Sequence, residues 1–178
     1  MIPGFRNALH RFRRNEDGTA SVEFVIVAPV FIALMMFSIE LGFITLRNTM
    51  LERGLDIAVR EVRLGTGTAP QHDEIKQIVC EKSVIIYDCM NTLQLELRPT
   101  DIRTFSALDA AVDCTDAAEP TKPVRAFIPG VQNELMLMRA CVKYDPLFPK
   151  QFLGRALQTD TNGQATIIST TAFVQEPV

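Results

Sequence analysis

Residues 17–47 read DGTASVEFVIVAPVFIALMMFSIELGFITLR, and the architecture turns on them. Residues 24–39 are apolar throughout except Ser38, counting Pro29 as apolar; after Glu40 the run resumes over 41–46, broken only by Gly42 and Thr45. A helix needs roughly 20 mostly apolar residues, at 1.5 Å of rise each, to cross a hydrocarbon core. Residues 22–46 supply that length and predict one membrane-spanning helix. A cleaved secretory signal fits less well. Its apolar core is about 7–15 residues long and ends at a small-x-small site, whereas Ser38-Ile39-Glu40 makes a poor exit. At the entrance to the run stands a carboxylate, Glu23. An ionised acid costs about 2.5–3.5 kcal/mol at the centre of a membrane helix and less near an edge. Snorkelling to the membrane surface is the plain account of it.

On the amino-terminal side, Arg6, Arg11, Arg13 and Arg14 crowd the first 14 residues. Ile2, Phe5, Leu9 and Phe12 fall on one helical face among them. Such a segment either lies in a headgroup layer or forms a disordered basic tail. A basic flank before an apolar span orients it with that flank in the cytoplasm and the carboxy-terminal body outside. Arg47, Arg53, Arg60 and Arg63 on the far side work against this assignment. Over the whole chain the net charge is −3, with no electrostatic footprint for nucleic acid.

On the carboxy-terminal side the pattern becomes amphipathic. Ile44, Leu51, Leu55, Ala58 and Val62 keep to one stripe, and Gly65 and Gly67 supply a stop. The reading is a single helix over residues 19–64, roughly 69 Å long, loosened or kinked at Pro29, which lacks a backbone N–H. Glu40 falls roughly 26 Å beyond Glu23 along it, near the outer interface. A tolerated polar residue is expected there, with a helix–helix contact as the alternative. A short helix follows over 73–83, with Ile75, Ile78, Val79 and Lys82 at helical spacing; residues 84–87 are ambiguous. Then the period changes to two. Leu93, Leu95 and Leu97 alternate with Gln94, Glu96 and Arg98 as a half-buried strand closed by Pro99. Further strands are read over 134–144 and, after the Asn162-Gly163 turn, over 165–174. Residues 101–130 read as loop, with a short helix over 105–112. The fold class is therefore α+β: a long amino-terminal helix packed on a small antiparallel sheet.

The four cysteines, Cys80, Cys89, Cys114 and Cys141, all lie in the body. An even count in an oxidising compartment reads as two disulfides, with three possible pairings. The short loop favours Cys80–Cys89, which leaves Cys114–Cys141. Zinc is disfavoured, because no C-x2-C pair exists and the histidines are only His10 and His72. No catalytic constellation is expected. No histidine-based triad can be drawn, and Ser83, Ser106 and Ser169 lack a G-x-S-x-G setting. Gly65-Thr66-Gly67-Thr68 has no lysine and is no phosphate cradle. Asp113, Asp116 and Glu119 do not have EF-hand spacing. No cofactor or metal is called for.

Three features set Glu23 apart from a snorkelling acid. Gly18 precedes the small residues Thr19-Ala20-Ser21, an open peptide bond; charge stops at Asp17 apart from Glu23; and Glu23 is the fifth residue counted from Thr19. Gly18 followed by T-A-S-V-E-F resembles the processing site of type IV prepilins. The fuller string RRNEDGTASVEFVIVAPVF resembles the TadE/TadF-like minor pseudopilins of the tight-adherence (Tad/Flp) pilus system. The resemblance covers residues 11–47 and is weak over the body. It implies that a membrane-embedded prepilin peptidase cuts after Gly18 and leaves the helix whole. Thr19 would gain a free α-amine, methylated by some peptidases. Glu23, with Phe24 beside it, would pair with the amine of a neighbouring subunit and set axial register. An amine and an acid at membrane depth offset each other when paired.

These readings give three regions: a basic leader over 1–18, a transmembrane half-helix over 19–46, and over 47–178 the helix continuation with a periplasmic body. The expected function is that of a non-enzymatic minor pseudopilin that assembles a Tad pilus, at its tip or base, and supports adhesion. Its expected partners are the prepilin peptidase, other minor and major pilins, the inner-membrane assembly platform and the membrane itself, without nucleic acid. The alternative is a signal-anchored periplasmic binding or sensor domain that never joins a pilus. The amino terminus discriminates the two: Thr19 for the pilin, Met1 for the anchor.

Overall fold

The structure is a computed structural model that describes residues 19–64, 71–101, 103, 114, 127–150 and 152–177. The leader and the helix expected over 105–112 lie outside the described residues. Helix α1 spans Thr19–Leu64 and is continuous across Pro29. By contact density the chain divides into residues 1–39 and 40–178. In the first unit, residues 20–39 of α1 are mostly apolar and mostly turned outward: Val22, Phe24, Val25, Ile26, Val30 and Phe31 are all exposed. This is the one described helix long and apolar enough to cross a membrane. One polar side chain in it bonds back onto the helix itself. The Ser38 hydroxyl donates to the Leu34 carbonyl at 2.8 Å.

The second unit is a two-layer α+β body. After α1 come α2 (His72–Lys82), α3 (Cys89–Thr92), β1 (Leu93–Pro99), β2 (Leu135–Tyr144), α4 (Phe152–Ala156) and β3 (Ala165–Val174). The three strands form an antiparallel sheet in the order β1-β2-β3. The leucines of β1 face the core, as their alternation predicts. From β2, Met136, Met138, Ala140, Val142 and Tyr144 join them, and from β3, Ala165, Ile167 and Phe173. Against this face pack Leu51, Leu55, Ala58, Val59 and Val62 of α1, with Ile75 and Val79 of α2. Burying each such side chain contributes about 1.5–3 kcal/mol. The stripe is the predicted one, widened by Val59 and by Gly54.

At Gly54 the end of α2 comes close to α1. A Cβ there would overlap the Ser83 hydroxyl and lie 2.8 Å from the Val79 carbonyl oxygen. Ser83 itself is fully buried, and its Oγ donates to the Met50 carbonyl at 3.0 Å. The far end of α1 is tied to the carboxy-terminal segment. The Gln175 amide donates to the Val62 carbonyl at 3.0 Å, satisfying one of the helix's last free acceptors. Arg63 pairs with Glu176 at 2.7 Å.

The other face of the sheet differs from strand to strand. On β3 it is open, with Thr166, Ile168, Thr170, Ala172 and Val174 exposed. On β2 it is closed, with Leu137, Arg139 and Cys141 buried. Glu96 and Arg139 stand directly opposite in the β1–β2 register, and both are buried. Arg139 Nε and Nη2 donate to Glu96 Oε2 at 3.1 and 2.5 Å, so the buried charges are paired and hydrogen-bonded. At the turn into β3, Gly163 takes a positive φ of 82°, as the Asn162-Gly163 signal predicts. Asp160 organises this turn: Oδ1 accepts from the Asn162 and Gln164 backbone N–H groups, and Oδ2 from Lys143 Nζ at 2.8 Å.

Candidate functional site

The residues singled out for processing and subunit pairing sit at the start of α1. Gly18 lies outside the described residues, and Thr19 is the first residue of the helix. Glu23 and Phe24 follow within the first two turns, and both side chains are exposed in the single chain. The Glu23 carboxylate makes no hydrogen bond or ion pair among the described residues. Such an arrangement offers an acid on an apolar cylinder, displayed to whatever packs alongside, and the described residues supply it no counter-charge.

The second acid of the helix has the opposite environment. Glu40 is buried, 1% exposed, and its two oxygens accept the backbone N–H groups of Leu147 at 3.1 Å and Phe148 at 2.9 Å. Neither a tolerated surface acid nor a helix–helix contact describes it. Glu40 is the anchor by which the segment after β2 is fastened to the helix. Sequence reasoning missed this role because its partners are backbone amides, which carry no side-chain signature. Residue 40 accordingly groups with the body.

Two turns beyond Glu40 on the same face, the Arg47 guanidinium lies over the Tyr144 ring at 4.8 Å and 6.0 Å from the Phe43 centroid. These contacts are cation–π in kind. Burial raises the Tyr144 phenol above its ordinary value; the Arg47 charge opposes this and the Glu40 charge adds to it. Arg47 and Tyr144 also line a cavity of about 360 Å³, walled by Leu51, Ile85, Ile86 and Ile167.

The cysteines meet as two pairs. Cys80 and Cys89 close the loop between α2 and α3, and Cys114 is fastened to Cys141 at the middle of β2, with Cα separations of 5.6 and 5.4 Å. Both fall in the ordinary range for a disulfide. Among the described residues no cysteine is free and no group of three or more ligating side chains could hold a metal ion.

Residues 18–60 match the family model described as TadE-like protein. The match opens on Gly18, one residue before the observed start of α1, and ends inside the stripe that packs on the sheet. The resemblance to TadE-like proteins is therefore borne out over the helix. No curated protein and no solved structure matches the chain.

Proposed function

We propose that this chain is a minor pseudopilin of a Tad/Flp-type pilus: a structural component, not an enzyme, cut after Gly18 and held in the inner membrane by α1. The observation behind the reading is the coincidence of three boundaries. The TadE-like match begins at Gly18, the helix begins at Thr19, and apolar, outward-facing residues begin at Val22.

Cleavage after Gly18 removes the arginine-rich leader and creates an α-amine on Thr19 at the membrane edge. Glu23, exposed and without a partner among the described residues, then has a complementary charge to meet on a neighbouring subunit. In the proposed pairing the Thr19 amine of one subunit meets the Glu23 carboxylate of the next, which sets the axial register. The body faces the periplasm and travels with the helix on assembly, where it supports adhesion. Prepilin peptidase, other pilins and the assembly platform are the partners this requires.

Intact-mass measurement of the membrane-extracted protein tests it. A mature chain beginning at Thr19, and an unprocessed one when Gly18 is replaced by a bulky residue, is the expected pair of results. Retention of residues 1–18 in cells that hold a prepilin peptidase would overturn the reading in favour of a simple signal anchor.

A further inference from the structure

Glu40 lies where the apolar part of α1 gives out. Between Phe24 and Glu40 the helix rises roughly 24 Å, close to the roughly 30 Å thickness of a bilayer's hydrocarbon core. A carboxylate at that depth ordinarily reaches for water. Here it is 1% exposed, because the Leu147 and Phe148 amides cover it. The segment Asp145-Pro146-Leu147-Phe148-Pro149-Lys150 is therefore held at the level of the helix where lipid ends.

That segment is built to stay there. Pro146 within it is buried, and α4 backs it so closely that a Cβ at Gly154 would overlap the Phe148 carbonyl. Pinned between Glu40 and α4, it nevertheless turns Leu147 outward, 43% exposed, with Pro149 and Lys150 exposed beside it. Phe43, Arg47 and Tyr144 lie a turn or two higher, the aromatic and cationic residue types that collect at membrane–water interfaces.

Taking α1 as a membrane span, as the proposed function does, we infer that the 145–150 loop enters the headgroup layer of the outer leaflet. The body then rests on the lipid surface through Leu147. Glu40 is satisfied by the body rather than by water, so the body is drawn down to the depth at which Glu40 lies. The occupant of the exposed Leu147 surface is the lipid interface itself, because Leu147 is bonded through its backbone to Glu40, whose neighbours on α1, Leu41 and Phe43, are exposed apolar residues as well.

The chain contains no tryptophan, so a single introduced one reports its own depth. Three full-length variants, Leu147→Trp, Val131→Trp and Val30→Trp, are reconstituted in phosphatidylcholine vesicles whose acyl chains are brominated at a shallow or a deep position. Val131 is exposed but lies before the start of β2, roughly 30 Å from its Tyr144 end. The expected result is quenching of V30W by deep bromine, quenching of L147W by shallow bromine, and none for V131W. Should L147W fail to fold, Lys150→Trp, at an exposed neighbouring position, gives the same shallow quenching. If V30W is quenched while L147W and K150W behave like V131W, the span stands and the loop proposal falls. If V30W is unquenched, the span itself fails, and the loop proposal with it. Emission from L147W that is lipid-insensitive and shifts blue as protein-to-lipid ratio rises places a second copy on the loop and overturns the proposal.

Discussion

The Glu40 carboxylate accepts the backbone N–H of Phe148 at 2.9 Å, across 108 residues of chain. With the parallel bond from Leu147 it joins the middle of a helix to the end of a sheet. Hydrogen bonds to a charged group contribute about 1.5–3 kcal/mol, and an amide left buried without an acceptor costs about 1–3 kcal/mol. Glu40→Ala is expected to destabilise the body by about 2–4 kcal/mol on this basis. Glu40→Gln keeps one acceptor oxygen and loses less. Denaturant unfolding in detergent measures both, and amide exchange at Leu147 and Phe148 should rise in each. An unchanged midpoint for E40A would show that the two bonds are incidental.

Gly54 sits where α1 and α2 touch backbone to side chain. Alanine is the better helix former by about 1 kcal/mol. The added methyl, however, meets the Ser83 Oγ and the Val79 carbonyl. Overpacking of this kind costs about 1–3 kcal/mol, so Gly54→Ala is expected to lower stability in spite of its propensity. Gly42, with open space around it, supplies the control. If G54A raised the unfolding midpoint as G42A is expected to, the close approach would carry no weight.

Glu96 and Arg139 are a buried cross-strand pair. Removing one partner strands a charge, at a cost of about 3–5 kcal/mol, whereas replacing both with apolar residues of similar volume is often neutral. Glu96→Leu and Arg139→Met are each expected to be strongly destabilising, and the double variant close to the parent. Unfolding free energies around this cycle give the coupling. Additive losses would contradict the pairing.

Asp160 is the group whose acid titration should be felt. Hydrogen bonding from Lys143 lowers its carboxyl below the usual range, burial works against this, and the Gln164 and Asn162 amides add to the lowering. A folded-state value below the unfolded one contributes stability that is fully present above the unfolded value, about 3.9. That contribution is lost as pH falls through the folded one. The stability gap between the parent and Asp160→Asn should therefore be constant above about pH 5 and close as acid is added below about pH 4. A gap that persists undiminished to low pH would mean the carboxylate charge is not what holds the turn.

Periodicity made the elements legible. The long apolar run, the stripe from Leu51 to Val62, the alternation of Leu93, Leu95 and Leu97 and the Asn162-Gly163 turn are all local signals. The structure places α1, β1 and β3 at the bounds they predict. The one-turn helices Cys89–Thr92 and Phe152–Ala156 were invisible, because four or five residues cannot display a period of 3.6.

By itself the sequence determined one long helix, greasy and then amphipathic, and a small sheet to cover its second half, because helical and strand periods follow from local backbone geometry. It also marked Gly18, Thr19 and Glu23, because that signature is contiguous. Tertiary structure alone decided that Glu40 belongs to the body, that Gly54 admits Ser83, and that Glu96 finds Arg139. Each of these joins residues tens of positions apart, and each partner is brought in by sheet register, by the packing of α2 on α1, or by the segment that follows β2. A backbone amide or a missing Cβ leaves no mark in the sequence until the chain folds back upon it.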